Sequence, residues 1–410
     1  FTGSSLNYTE HVFRGSAAGS SSIISCKEGG EEEQTPHSEL RKKVGALAFW
    51  LKNNGVGRGD RVAAYMPNIP EAIIGFLASA SLGAVWSSCS PDFGSPSVID
   101  RFAQIRPRVL LTVSGYSYNG RKISKTADVR RILAAIPSIK RVVVVREGGR
   151  ESDSKLGMKS CEWEEAVEGD SNIEFAHVPF DHPLWILYSS GTTGAPKPIV
   201  HGHGGMLLEH YKALSLHNDL KQGDRFFWYT STGWMMWNYL VSGLLVGASV
   251  ILYDGSAAYP NMDVLWDLCE RTGMTFFGTS AAYISSCMKS GIRPGERFNL
   301  RSLRGMGSTG SPLSAESFLW VYRNVKHDLW LASMSGGTDM CTAFVGGCPL
   351  LPVRVGEIQC RCLGARVQAF DEKGKAVYGE TGELVITEPM PCMPIFFWND
   401  RQNARYLESY

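Results

Sequence analysis

The sequence predicts an α/β protein in which mostly parallel β-sheets are flanked by helices. Segments with apolar residues at helical spacing alternate with short apolar runs of strand length, which is the pattern of strand–helix–strand units. From about Pro352 the pattern changes to short alternating strands separated by turns, which indicates a smaller antiparallel region at the C-terminal end. A length of 410 residues, 44% of them hydrophobic, is enough for one large domain or two to three smaller ones.

The first elements alternate between helix and strand. Residues 38–51 are predicted to form a helix, because Leu40, Val44, Leu47 and Leu51 share one face. Residues 61–65 are predicted to form a short buried strand. Pro70 then starts a second helix, since proline is favoured in the first turn.

The rest of the chain continues this alternation. Further strands are predicted at 109–113, 141–145, 185–188, 249–253 and 275–278, and antiparallel strands at 365–370 and 383–387. The two most polar segments, 26–34 and 146–159, are predicted to be surface loops. Residues 405–410 resemble the middle of an amphipathic helix, and the chain opens without Met, so we expect both ends to be internal to a longer protein.

Composition excludes several classes of function. Lys and Arg number 41 and Asp and Glu number 40, so the chain lacks the positive charge expected of a protein that binds nucleic acid or an anionic membrane. The longest apolar stretch is too short and too interrupted for a membrane span. The ten cysteines contain no Cys-x-x-Cys pair, which argues against zinc and favours reduced thiols in a cytosolic protein.

The most informative segment is Tyr188-Ser-Ser-Gly-Thr-Thr-Gly-Ala-Pro-Lys197, directly after a predicted strand. Its glycines allow the backbone N–H groups to point at an anion, its four hydroxyls suit phosphate oxygens, and its lysine adds a positive charge. The spacing differs from that of a Walker A loop, which places Lys and Ser/Thr directly after the second glycine. A flexible surface loop is the alternative. The stiffening proline and the preceding buried strand favour polyphosphate binding.

This segment resembles the phosphate-binding loop of the adenylate-forming superfamily, which includes acyl-CoA synthetases, luciferases and peptide-synthetase adenylation domains. Segments elsewhere match in order: 59–63, 66–68, 307–313, 337–339 and 382–386. The resemblance implies the superfamily's large N-terminal core of stacked sheets. It also implies two α/β subdomains over 1–350, an antiparallel subdomain over 351–410, and a small C-terminal lid domain that has no counterpart here. On this basis we expect the chain alone to bind ATP weakly and to adenylate poorly.

The resemblance also implies site residues for ATP, Mg²⁺ and coenzyme A. For the phosphates of ATP they are Ser189, Ser190, Gly191, Thr192, Thr193, Gly194 and Lys197; for adenine, Gly310, Ser311 and Pro312; for the α-phosphate, Gly337 and Thr338; for Mg²⁺, Asp339; and for the coenzyme A phosphate, Arg121. Thr192, Lys197, Thr338 and Asp339 would be catalytic. The superfamily generally has Glu where this chain has Asp339, and the alternative role for Asp339 is a helix cap.

The acid substrate is indicated by a closer likeness to the acyl-CoA synthetases that act on acetoacetate. Segments 90–94, 232–238 and 335–339, among others, carry this likeness. Related acetate enzymes have Trp at the place of Gly336, so the resemblance implies a longer acid, with Trp234 and Met235 lining the pocket. On this basis Gly336→Trp should shift preference toward acetate. Alternatives are that Gly336 only serves a turn, that the chain is another short-chain acyl-CoA synthetase, or that it is a non-catalytic ATP-binding module.

Two further features have weaker assignments. Arg121 could equally belong to a solvated basic surface together with Lys122 and Lys125. His201-Gly202-His203 would suggest a metal site if a third ligand were close in sequence; without one, a role at a helix start or beside the phosphates is favoured.

Overall fold

The computed structural model describes residues 1, 3–14, 21–30, 32–146, 157, 159–189, 194 and 196–410. Within this part of the chain two large β-sheets carry most of the strands. The predicted α/β class is therefore confirmed, and the predicted strands at 61–65, 109–113 and 141–145 form with the expected bounds.

Eight of the described strands form the first sheet. In spatial order they are Ser160–Glu162, Arg141–Val145, Val109–Val113, Arg61–Tyr65, Val85–Cys89, Pro183–Ser189, Lys197–Gly202 and Phe396–Phe397. Neighbours are parallel as far as Pro183–Ser189, and the last two strands are added antiparallel. Every residue of Val109–Val113 is buried, as expected for a parallel strand covered on both faces.

Seven described strands form the second sheet. In spatial order they are Trp330–Ser333, Gly305–Thr309, Phe276–Ser280, Arg225–Trp228, Ser249–Asp254, Ser21–Lys27 and Glu32–Pro36. All neighbours are parallel except the last two, which form a hairpin. The hairpin corrects the expectation of a surface loop over 26–34. Glu32 and Glu33 lie on the edge strand, where charged side chains are common because they discourage pairing with another chain.

The smaller sheets are antiparallel. In one of them Thr342–Gly346 is the central strand and pairs with Ser335–Gly337 and with Cys360–Arg361. In the others Val367–Phe370 pairs with Ala376–Val377 and Glu383–Ile386, Gly115–Tyr118 with Arg121–Ser124, and Ser5–Leu6 with Val178–Pro179. The predicted loop at 146–159 falls largely outside the described residues.

Helices cover the sheets. The α-helices are Tyr8–Arg14, His37–Asn53, Pro70–Ser81, Ser95–Ile105, Thr126–Ala135, Trp163–Ala166, His203–Lys212, Met235–Val241, Val264–Thr272, Ala281–Lys289, Pro294–Arg297, Ala315–Asn324 and Ala404–Ser409. A π-helical turn spans Ala213–His217, and 3-10 turns span Ser242–Val246 and Arg401–Asn403. The four apolar residues expected on one face of the helix His37–Asn53 are all buried.

One hydrophobic core is shared by the two large sheets. It contains Trp86 and Trp185 from the first sheet and Trp228 from the second, each fully buried. Trp237, from the helix Met235–Val241, stacks on Trp86 with ring centroids 6.2 Å apart, and its indole N–H donates to Asn68 Oδ1. The helix Met235–Val241, which Trp234 directly precedes, is therefore held against both sheets.

Candidate active site

The predicted phosphate loop joins two antiparallel strands of the first sheet. Ser189 ends one strand and lies opposite Lys197, the first residue of the other. The pairing fixes both ends of the loop. Ser190, Gly191, Thr192 and Thr193 lie outside the described residues. Lys197 is half-buried, and its amine lies 4.6 Å from the centre of the Phe397 ring and 3.1 Å from Ser409 Oγ.

Asp339 lies in the turn between the strands Ser335–Gly337 and Thr342–Gly346 rather than at the start of a helix. The Cys341 N–H closes the turn by donating to the Gly337 carbonyl at 2.9 Å, and Cys341 adopts a left-handed conformation with φ of 52°. The Tyr410 hydroxyl donates to the Asp339 carboxylate. Because Ser409 and Tyr410 are consecutive, Lys197 and Asp339 face the same region.

Two buried histidines hold the Asp339 turn. His201 Nε2 lies 2.7 Å from the Asp339 carbonyl oxygen, and His210 Nε2 lies 2.7 Å from that of Cys341. Burial lowers the pKa of each imidazole from 6.5 to about 4, so both are neutral at pH 7. His203 begins the helix that carries His210, as expected for a residue at a helix start. The role of His201 and His210 toward the turn was not anticipated from the sequence.

A small cavity of about 130 Å³ lies beside this turn. Trp234, Met235 and Gly336, the residues expected around the acid, all line it, together with Gly337 and Thr338. A dry cavity of about 150 Å³ holds a benzene molecule, so this one suits a small organic acid rather than a fatty acid.

A second cavity, of about 500 Å³, adjoins the first. Its lining includes Gly310, Ser311 and Pro312, the residues expected to face adenine. Gly310 has φ of 90°, a left-handed conformation that favours glycine and lets the backbone turn there. Gly310 and Gly336 line both cavities, so a ligand in one can reach a ligand in the other.

Gly336 also serves the pairing of two strands. A Cβ atom at this position would lie 2.1 Å from the Thr342 carbonyl oxygen and 2.8 Å from Ala343 Cα. No side chain fits there unless the paired strand moves. The alternative role for Gly336, a backbone one, therefore applies alongside its place in the cavity wall, and a Trp at this position cannot simply fill the pocket.

A third cavity, of about 440 Å³, opens on the other side of Trp234. Its walls include Tyr116, Tyr118, Tyr229 and Tyr253. Arg121, expected to contact coenzyme A, is exposed and follows the turn after Tyr118.

That turn is held by Glu28. The Glu28 carboxylate accepts the N–H groups of Asn119 at 2.9 Å and Gly120 at 2.6 Å, and also that of Ser256 at 2.8 Å. One side chain therefore joins three segments at the rim of this cavity, including the residues just before Arg121.

Asp339 fits the Mg²⁺ that the resemblance implies. Among the described residues no cluster of three or more acidic, histidine or cysteine side chains could hold a metal by itself. Mg²⁺ in nucleotide enzymes is commonly held by one or two carboxylates, with phosphates and water completing the shell. A single carboxylate that faces the same region as Lys197 suits that mode.

No helix in the described ranges has both the length and the apolar composition to cross a membrane.

Comparisons with known proteins agree with the geometry. The family model described as "AMP-binding enzyme" matches residues 14–394. Acetoacetyl-CoA synthetase of Mus musculus is 43% identical over 420 residues, which cover 100% of this chain and 62% of that protein. The acetoacetyl-coenzyme A synthetase of Rhizobium meliloti is 45% identical over 99% of this chain and 62% of that protein.

A solved structure, acetoacetyl-CoA synthetase from Streptomyces lividans, superposes with a TM-score of 0.94 at 47% identity. The match covers 99% of this chain and 63% of that one. The chain thus spans less than two thirds of the length of these relatives. The family match covers nearly all of the chain, and the protein belongs to the AMP-binding enzyme family.

Proposed function

We propose that this chain carries the nucleotide- and acid-binding part of an acetoacetate–CoA ligase, an AMP-forming acid–thiol ligase. The observation that carries the proposal is the small cavity between Trp234, Met235 and Gly336, which opens into the larger cavity beside the Gly310–Pro312 turn. Such an arrangement supports the binding of a small acid next to a nucleotide. The names of the relatives supply the acid, acetoacetate.

The proposed reaction has two steps. A carboxylate oxygen of acetoacetate attacks the α-phosphorus of ATP, the bond to the β-phosphate breaks, and pyrophosphate leaves. The thiol of coenzyme A then attacks the acyl carbon of the adenylate, a thioester forms, AMP leaves, and the thiol proton passes to solvent. Neither step requires a nucleophile from the protein. The protein contributes charge stabilisation and alignment of the reacting groups.

The proposed roles follow from the resemblance to the adenylate-forming superfamily. Lys197 and the loop residues Ser189 to Gly194, with Thr192 and Thr193 among them, bind the β- and γ-phosphates. Thr338 and Gly337 contact the α-phosphate, and Asp339 holds Mg²⁺, which would neutralise phosphate charge. Gly310, Ser311 and Pro312 face adenine. Arg121 binds the phosphate of coenzyme A, whose thiol arm would enter the cavity lined by tyrosines.

The proposal also includes the subdomain boundaries and the cellular compartment. We assign the two α/β subdomains to 1–350 and the antiparallel subdomain to 351–410. We place the protein in the cytosol. All ten cysteines are free thiols, which suits a reducing compartment.

The test is carboxylate-dependent ATP–pyrophosphate exchange with acetoacetate, acetate, propionate and butyrate, on this chain and on a version extended to the length of its relatives. We expect the highest kcat/KM with acetoacetate. Lys197→Met should lower the exchange rate about a hundred- to a thousandfold, because it removes a preorganised charge from the phosphates. The matched control is Lys289→Met, at an exposed lysine that ends the helix Ala281–Lys289, and it should leave the rate unchanged.

Other outcomes separate the alternatives. Equal or greater exchange with another acid would identify a different short-chain acyl-CoA synthetase. Measurable ATP binding with no exchange for any acid would favour a nucleotide-binding module. An unchanged rate in Lys197→Met would remove this lysine from the site.

A further inference from the structure

Three histidines that follow the phosphate loop each contact a backbone carbonyl in one later segment. His201 Nε2 lies 2.7 Å from the Asp339 carbonyl oxygen, and His210 Nε2 lies 2.7 Å from the Cys341 carbonyl oxygen. His217 Nδ1 lies 2.8 Å from the Gly347 carbonyl oxygen. All three side chains are buried. Two of the three contacts fall on either side of Met340, within the turn that carries Asp339.

The direction of the His210 hydrogen bond is set by its neighbours. A carbonyl oxygen only accepts, so His210 Nε2 must carry the proton and donate to the Cys341 carbonyl. In the neutral ring Nδ1 is then an acceptor, and Ser242 Oγ lies 2.6 Å from it. Ser242 Oγ also donates to the Asn238 carbonyl oxygen at 2.7 Å, and the Tyr8 hydroxyl lies 2.7 Å from the same Oγ. The Cys341 carbonyl therefore fixes the His210 tautomer within a buried hydrogen-bond network.

A further buried contact holds the far side of the turn. The Thr342 hydroxyl donates to Glu209 Oε1 at 2.9 Å, and Lys212 pairs with the same carboxylate oxygen at 2.8 Å. Glu209 and His210 are consecutive on the helix His203–Lys212, which continues from the strand that begins at Lys197. The element that leaves the phosphate loop is thus bonded directly to the turn of Asp339.

We propose that His201 and His210 are positioning residues that fix the Asp339 turn relative to the phosphate loop. The inference rests on the proposed function for the role of Asp339. The turn contains Cys341 in a left-handed conformation, which residues other than glycine adopt only when their surroundings hold them there. The two imidazoles supply that restraint by fixing the peptide planes that follow Asp339 and Cys341. Without them the Asp339 carboxylate loses its set distance from the phosphates.

The first measurement is hydrogen exchange of the peptides that cover residues 337–342, read by mass spectrometry on the full chain. His201→Leu and His210→Leu remove the donor, and we expect exchange at the Cys341 amide at least about tenfold faster than in the parent protein. His201→Gln and His210→Gln keep an N–H group at similar reach, and exchange should return toward the parent rate. His217→Leu is the matched control, because it removes a buried histidine whose carbonyl partner lies outside the turn.

The second measurement is the Mg²⁺ concentration that gives half-maximal ATP–pyrophosphate exchange. Removing the partners that orient a metal ligand commonly weakens metal binding about 10- to 100-fold. We expect a shift of that size in the Leu variants, a smaller one in the Gln variants and none in His217→Leu. If a Leu variant does not fold, His201→Asn or His210→Asn replaces it, since the shorter amide side chain retains polarity but does not reach the carbonyl oxygen.

One result would overturn the inference. In that result, hydrogen exchange at 337–342 and the half-saturating Mg²⁺ concentration both stay at the parent values in the two Leu variants, or in the two Asn variants. The result counts even if the stability of the variants falls. Failure of the proposed function has a different signature. In that case no acid supports pyrophosphate exchange, while hydrogen exchange still reports whether the histidines hold the turn.

Discussion

Lowering the pH from 7 to 5 should destabilise the protein through three buried histidines. Burial lowers the pKa of His201 and His210 from 6.5 to about 4, and that of His203 from 6.5 to about 3. In the unfolded chain each ring takes up a proton near pH 6.5, whereas in the folded protein each stays neutral. The unfolded state therefore binds more protons between pH 6.5 and 4, and stability falls as the pH falls through that range.

The size of the effect follows from linkage. One unit of pKa difference corresponds to about 1.4 kcal/mol, and pH 5 lies about 1.5 units below the pKa of 6.5 that each ring has in the unfolded chain. Each of the three rings then contributes about 2 kcal/mol of lost stability between pH 7 and pH 5. Together they remove about 6 kcal/mol, a large share of the about 5–15 kcal/mol that holds a typical protein folded.

The assay is urea unfolding of the parent protein and of His203→Gln at pH 7, 6 and 5. His203 is chosen because it has no hydrogen bond to the Asp339 turn; its Nδ1 accepts the Tyr8 N–H at 3.2 Å. The variant should be less stable at pH 7, but its loss of stability between pH 7 and 5 should be about 2 kcal/mol smaller than that of the parent.

The exposed His327 provides the control, since its ring stays in water whether the chain is folded or not. His327→Gln should keep the pH dependence of the parent protein. The same pH dependence in His203→Gln as in the parent would refute the claim that this buried ring resists protonation.

Two further substitutions test packing and capping. Gly336→Ala should lower the free energy of unfolding by about 1–3 kcal/mol, because its Cβ would overlap the Thr342 carbonyl oxygen. Gly337→Ala is the control and should be tolerated, because the space around Gly337 is open. Equal stability of both variants in urea unfolding would contradict this. Ser280→Ala should lower the free energy of unfolding by about 1 kcal/mol, because the Ser280 hydroxyl caps a helix by accepting the Tyr283 N–H. A melting temperature equal to that of the parent protein would count against the cap.

The strands that could be predicted from the sequence are those whose own residues form a continuous apolar run. Val109–Val113 is buried on both faces, so a continuous apolar run marks it. Gly305–Thr309 was not expected to be a strand, because glycine weakens strand preference. In the fold a Cβ at Gly307 would lie 2.7 Å from the Trp228 ring, so a tryptophan from another strand of the same sheet supplies the cover that glycine lacks.

The site was only partly predictable for a similar reason. Trp234 and Gly336 could be grouped from resemblance, and the fold does place both at one cavity. The contacts of His201 and His210 had no sequence signal, because their partners are backbone carbonyls more than a hundred residues later. The contact between Tyr410 and Asp339 was equally invisible, since it depends on how the last helix lies against the first sheet.

The hairpin Ser21–Lys27 and Glu32–Pro36 has a consequence for how the protein is made. Its sheet partner is Ser249–Asp254, which leaves the ribosome roughly 230 residues later, or about 10–45 s at ordinary synthesis rates. During that interval the apolar edge at Ile23 and Ile24 has no strand to pair with. Lys27, Glu32 and the other charges of the hairpin then act as gatekeepers, because they discourage association with a second nascent chain.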